Sequence, residues 1–63
     1  MKTITHARSV DDLVGTYRTF GAEGPAYEVL RIVHDDKVRV CVLESGEELN
    51  YSAQQSLEDP EAE

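Results

Sequence analysis

Very little in this chain is suited to covalent or metal chemistry. Cys41 is the only cysteine, so no disulfide can form within the chain and a disulfide-stapled secreted scaffold is excluded. Tryptophan is absent, and one phenylalanine and three tyrosines make up the aromatic complement. Nowhere do eighteen apolar residues run together, and Met1–His6 lacks the apolar centre of a signal peptide. A soluble, cytoplasmic protein is the expectation. No glycine-rich phosphate loop is present either, because Gly21 and Gly24 precede a strand pattern where such a loop requires a helix.

Charge of one sign is missing from the end of the chain. Residues 44–63 hold seven acids and no base, whereas residues 1–43 hold six of each, so the whole net charge of −7 lies at the end. Direct binding of nucleic-acid phosphates needs a clustered basic surface. The bases that strands could present are Arg18, Arg31, Lys37 and Arg39, and they alternate with acids. Residues 58–63 are expected to be a solvated acidic tail that buries nothing, serving solubility or acting as an electrostatic handle for a basic partner.

What the chain does have is strand pattern. Sixty-three residues make one domain near the lower size limit for a single core, so burial against a second copy or a partner is expected to help. Thr16–Phe20 is rich in β-formers, and Ala26–Val33, Lys37–Glu44 and Glu48–Tyr51 follow, separated by Gly21–Pro25, Asp35-Asp36 and Ser45-Gly46. Two capping-box patterns, Ser9-Val10-Asp11-Asp12 and Ser52-Ala53-Gln54-Gln55, predict short helices over Val10–Val14 and Ala53–Leu57. The fold class is therefore mainly β: a four-stranded antiparallel meander with short helical turns at both ends. A flexible stretch over residues 1–8, a single domain over 9–57 and the tail over 58–63 are expected.

Loop lengths then set a register. A turn at Asp35-Asp36 pairs Val33 with Val38 and Val29 with Val42; a turn at Ser45-Gly46 pairs Val42 with Leu49 and Val40 with Tyr51. The five-residue loop Gly21–Pro25 pairs Tyr17 with Val29 and Arg18 with Glu28. This gathers Tyr17, Tyr27, Val29, Val33, Val38, Val40, Val42, Leu49 and Tyr51 on one face, with Leu13 and Leu57 as lids, because side chains alternate along a strand. Arg31 intrudes on that face opposite Val40, its guanidinium reaching water. The other face carries Arg18, Glu28, Leu30, Ile32, Arg39, Cys41, Leu43 and Asn50.

A solvated sheet face should be mostly polar, yet Leu30, Ile32, Cys41 and Leu43 form an apolar cluster there. Either the N-terminal segment or a curled sheet covers it, or another chain does, because exposed apolar patches mark interaction sites. Arg18, Leu30, Ile32, Arg39, Cys41 and Leu43 are thus the candidate partner-binding residues, the two arginines fixing register against acids of the partner. Other chemistries fit worse. An aromatic cage would need tyrosines that the register assigns to the core. His34-Asp35-Asp36 has no metal-ligand spacing, and Cys41 lacks the base and electropositive setting of a nucleophile. No catalytic residue, cofactor or metal is expected.

Gly24-Pro25-Ala26-Tyr27-Glu28-Val29-Leu30 and Glu44-Ser45-Gly46-Glu47-Glu48-Leu49-Asn50-Tyr51 resemble segments of a group of short uncharacterised bacterial proteins, over roughly residues 13–60. No functional residue is implied by that likeness. The run of valines followed by Ser-Gly-Glu, a short strand and Ser52–Leu57 also resembles an SH3-like partial barrel of the Tudor sort, a fold that hosts many functions. The function expected is a non-catalytic interaction module that binds a protein partner through the apolar sheet face and the acidic end. The alternatives are a homodimer whose patch serves only self-assembly and a nucleic-acid-binding small barrel using Arg18, Arg31 and Arg39.

Overall fold

A computed structural model describes residues 10–34 and 36–62. Two expectations, the flexible stretch over residues 1–8 and the Ser9 cap, fall outside these residues. The elements run α1 (Val10–Leu13), β1 (Tyr17–Thr19), β2 (Ala26–His34), β3 (Lys37–Val42), β4 (Glu48–Ser52) and α2 (Ala53–Glu58). The strands form one antiparallel sheet in the order β1-β2-β3-β4, so the expected meander with helical turns at both ends is the observed architecture. Ser52 caps α2, its side chain accepting from the Gln55 N–H at 3.2 Å.

Both helices pack on the same side of the sheet. α2 lies against β3, β4 and α1, and α1 also reaches β2. Beneath them Leu13, Tyr27, Val29, Val38, Val40 and Ala53 are fully buried, with Phe20, Leu49, Tyr51 and Leu57 packed against them. Val40 and Leu43 sort as their alternation demands: Val40 is enclosed, and Leu43 is 47% exposed.

The register differs from the expected one in three places, each with a local cause. At the β1–β2 connection, Phe20 N–H donates to the Pro25 carbonyl at 3.1 Å, so Pro25 belongs to the ladder and the loop has one residue fewer. Pro25 can sit there because it is asked only for its carbonyl. The tighter loop requires Gly24, since a Cβ at that position would strike the carbonyl oxygen of Phe20. The one-residue change turns all three side chains of the short strand over. Arg18 now pairs with Tyr27 and is 3% exposed, while Tyr17 pairs with Glu28 and is 47% exposed. The expectation that Arg18 lies on the outer face and Tyr17 in the core is thereby reversed.

The second difference lies in the β2–β3 hairpin. At its tip His34 lies opposite Lys37, the register expected for a turn at Asp35-Asp36, but the pairing shifts between Ile32 and His34 and again between Val29 and Arg31. Each shift leaves one extra residue on β2, Val33 and Leu30, as β-bulges do. Val29 therefore faces Val40 rather than Val42, and the faces beyond Leu30 are exchanged. Arg31 lies opposite Arg39, not among the core residues, and Ile32 lies opposite Val38, on the helix side, where the sheet outruns its cover. Val33 is exposed as well.

At the third place, β3 and β4 are joined through residues 43–46, with Val42 N–H donating to the Glu47 carbonyl at 2.8 Å. Gly46 takes a positive φ of 77° there, which glycine adopts without steric cost. The result is a shift of two residues, Val40 facing Leu49 and Val38 facing Tyr51, which preserves the faces.

The end of the chain departs furthest from the expectation that residues 58–63 bury nothing. Asp59 is 4% exposed. Beyond it the backbone runs antiparallel to β1, with Thr19 N–H donating to the Pro60 carbonyl at 3.0 Å and Ala62 N–H to the Tyr17 carbonyl at 2.8 Å.

Candidate interaction surface

The side of the sheet opposite the helices is built in rows, because directly paired residues share a face. One row runs Tyr17–Glu28–Cys41–Glu48 across all four strands. Beside it lie Thr19, Ala26 and Leu43, the Leu43 N–H donating to the Ala26 carbonyl at 3.0 Å. On its other side come the bulge residue Leu30 and the row Arg31–Arg39–Asn50. Among the described residues no helix packs here. Tyr17 and Leu43 stand exposed, while Leu30 and Cys41 are half-buried by their neighbours.

Of the six candidate residues, the fold brings Leu30, Arg39, Cys41 and Leu43 to this face. Ile32 goes to the helix side beyond the bulge, and Arg18 goes to the interior. Tyr17, missed by the sequence reading, takes a place in the central row. Its signal was the proline: counting Pro25 as a ladder residue would have turned Tyr17 outward.

Two charges on this face, Arg39 and Glu48, engage each other. Arg39 Nε donates to Glu48 Oε1 at 3.3 Å, and its Nη1 donates to Asn50 Oδ1 at 3.0 Å. The guanidinium thus staples β3 to β4 within the chain. Cys41 sits between its cross-strand neighbours Glu28 and Glu48. The face is therefore shallow, with Leu30, Cys41 and Leu43 as its apolar residues on β2 and β3 and Tyr17 set across Glu28 on β1.

The buried polar cluster lies on the other side and was not anticipated. Asp59 collects four donors: Tyr27 OH at 2.8 Å and Tyr51 OH at 2.9 Å on Oδ2, and Gly21 N–H at 3.2 Å and Gln55 Nε2 at 3.4 Å on Oδ1. Because the Tyr27 proton goes to Asp59, Ser56 Oγ donates to the Tyr27 oxygen at 2.8 Å. Arg18 Nη1 donates to the Asp59 carbonyl at 2.7 Å, with Glu61 3.9 Å from Nη2. The arginine Nε has no partner among the described atoms. Burial, then the bond to Asp59, pushes Tyr51 up to about 12, and burial pushes Tyr27 up as well.

Phe20, Tyr27 and Tyr51 meet at centroid distances of 4.3–5.4 Å, which is packing geometry. Their two hydroxyls are committed to Asp59. The cluster ties α2, β1, β2, β4 and the chain end together. It is a structural clasp.

Among the described residues, no three His, Cys, Asp or Glu side chains assemble as a metal site, and no helix is long and apolar enough to cross a membrane. No curated protein and no solved structure matches the chain. A family model does: residues 3–63 match the family of unknown function DUF5397, and the chain belongs to that family.

Proposed function

We propose that the protein is a non-catalytic, cytoplasmic interaction module that binds a protein partner through the sheet face opposite its helices. One observation carries this reading. Tyr17 and Leu43 are each 47% exposed at neighbouring rows of a face that no described helix covers. Large apolar side chains left exposed on an uncovered sheet face support an interaction surface. The binding residues are then Tyr17, Leu30, Cys41 and Leu43, with Arg39 as an internal staple in place of a contact to the partner's acids.

The acidic end contributes less than composition alone suggests. Asp59 is consumed by the clasp, and of the exposed acids Glu58 and Glu61 of the described end, Glu61 lies 3.9 Å from Arg18. A nucleic-acid-binding barrel loses support for a related reason. Arg18 is buried and Arg39 is paired with Glu48. The SH3-like reading gains support from the path of the chain: four meandering strands, one helical turn after β4, then a return to the edge of β1.

The test is site-specific photo-crosslinking in the source cell. A photoreactive residue replacing Leu43 or Tyr17 is expected to give discrete protein adducts. The same residue replacing Val14, exposed beside α1, is expected to give none. Adducts from position 14 alone would reject the reading. Adducts consisting only of the protein itself would make the face a self-assembly surface.

A further inference from the structure

The two edges of the sheet are treated differently by the chain. On β1 the residues paired to β2 are even-numbered, as Val29 N–H to Thr16 and Phe20 N–H to Pro25 establish. Tyr17 and Thr19 therefore aim their backbone groups outward, and residues 60–62 take up the Tyr17 carbonyl and the Thr19 N–H. On β4 the ladder bonds of Glu47 and Ala53 to Val42 and Asp36 place the odd-numbered residues toward β3. In an antiparallel ladder the alternate residues then point away. These are Glu48, Asn50 and Ser52. Among the described residues no strand lies beyond them.

An edge strand with outward N–H and C=O groups is a template for another strand. Charge decides what kind. β4 lies within the stretch from 44 to 63 that holds seven acids and no base, and Glu44, Glu47, Glu48 and Glu58 are all exposed there. The bases facing β4, Lys37 and Arg39, sit one strand in, and Arg39 is held by Glu48 and Asn50. A second copy of this edge would bring two such acidic stretches together.

We propose that the edge of β4 accepts an extended segment of another protein in which basic and apolar residues alternate. The basic residues face Glu48 on the open side of the sheet, and the apolar ones rest on the half-buried Leu49 and Tyr51. This surface adjoins the sheet face described above at Glu48 and Asn50, but it is recognised through the outward backbone groups of β4 and does not depend on the exposure of Tyr17 or Leu43.

The probe is a synthetic peptide alternating lysine and valine, titrated into the full chain. Binding is followed by fluorescence anisotropy and by amide hydrogen exchange. The Lys–Val peptide is expected to bind and to slow exchange at Glu48, Asn50 and Ser52, and a Glu–Val peptide is expected not to bind. Asn50→Pro removes an outward N–H without removing a ladder bond; it is expected to weaken binding about tenfold or more, whereas Asn50→Ala retains it.

Should the proline variant fail to fold, peptides N-methylated at alternate amides serve instead. One phase of methylation is expected to abolish binding and the other to spare it. The proposal is overturned by absence of binding, by equal binding of the Glu–Val peptide, by indifference to both Asn50→Pro and the methylation phase, or by protection at Tyr17 and Leu43 in place of β4.

Discussion

The two faces of this sheet use the same strands in opposite ways. The helix side holds every fully buried apolar side chain among the described residues, and through that apolar layer runs a hydrogen-bonded cluster centred on Asp59. The open side carries Tyr17, Cys41 and Leu43 among charged residues, of which Arg39 and Glu48 pair at the surface. In a domain this small the difference teaches where stability and recognition reside. Stability is concentrated in one face and its clasp, which leaves the other face able to change with little penalty to folding.

The largest effect follows from removing the centre of the clasp. Asp59→Ala removes the acceptor of the buried Tyr27 hydroxyl and of the part-buried Tyr51 hydroxyl, and cuts Gly21 and Gln55 loose from the carboxylate. The expected cost is about 3–5 kcal/mol, because a buried polar group stripped of its partner bears its desolvation penalty in full. Total stabilities are about 5–15 kcal/mol. Urea denaturation is expected to find the variant largely unfolded at 37 °C, and a loss below about 1 kcal/mol would show that the clasp is not where the stability lies.

Alkali attacks the same cluster from the donor side. Tyr51 is pushed up to about 12 from an ordinary value of 10, and Tyr27 moves in the same direction. A phenol whose folded value lies above its unfolded one adds stability that is fully present below pH 10. That stability is lost as the pH rises through the folded value. Thermal melts are therefore expected to be flat up to about pH 10 and to fall steeply toward pH 12. The double change Tyr27→Phe with Tyr51→Phe should flatten the alkaline limb while lowering stability at neutral pH.

The clasp also marks the limit of what the sequence could disclose. The strands, their order and the inward sorting of Tyr27, Val29, Val38 and Val40 follow from alternation and turn chemistry, which are local. Arg18 and Tyr17 were exchanged because register depends on whether Pro25 ends a loop or begins a ladder, and a single residue decides it. The bulges at Leu30 and Val33 carry no mark that a pattern of period two can register. Asp59 reads as one more acid in an acidic end. Its burial arises only when α2 swings the chain back to β1 and brings Tyr27 and Gly21 within reach.

For the apolar side chains the comparison can be made with matched substitutions. Val40→Ala empties a fully enclosed position and is expected to cost about 2 kcal/mol, the transfer of two carbons plus an unfilled cavity. Leu43→Ala removes a larger side chain from the open face and is expected to change stability by less than about 0.5 kcal/mol. Chemical denaturation of the two variants side by side measures this. Equal losses would mean that Leu43 is covered in solution, either by the first nine residues or by a second copy, and sedimentation would separate those two.

The smallest effect concerns the Arg39–Glu48 staple, and it bears directly on recognition. Both side chains are substantially exposed, so solvent screens them and a double-mutant cycle is expected to return a coupling of about 0.2–1 kcal/mol. That is too little to hold the sheet together, yet it still orients Glu48 beside the edge of β4. Arg39→Gln should therefore leave the denaturation midpoint almost unchanged. It should also release Glu48 and strengthen the salt dependence of Lys–Val peptide binding. A coupling above about 2 kcal/mol would place this pair among the structural contacts and remove the separation between the two faces.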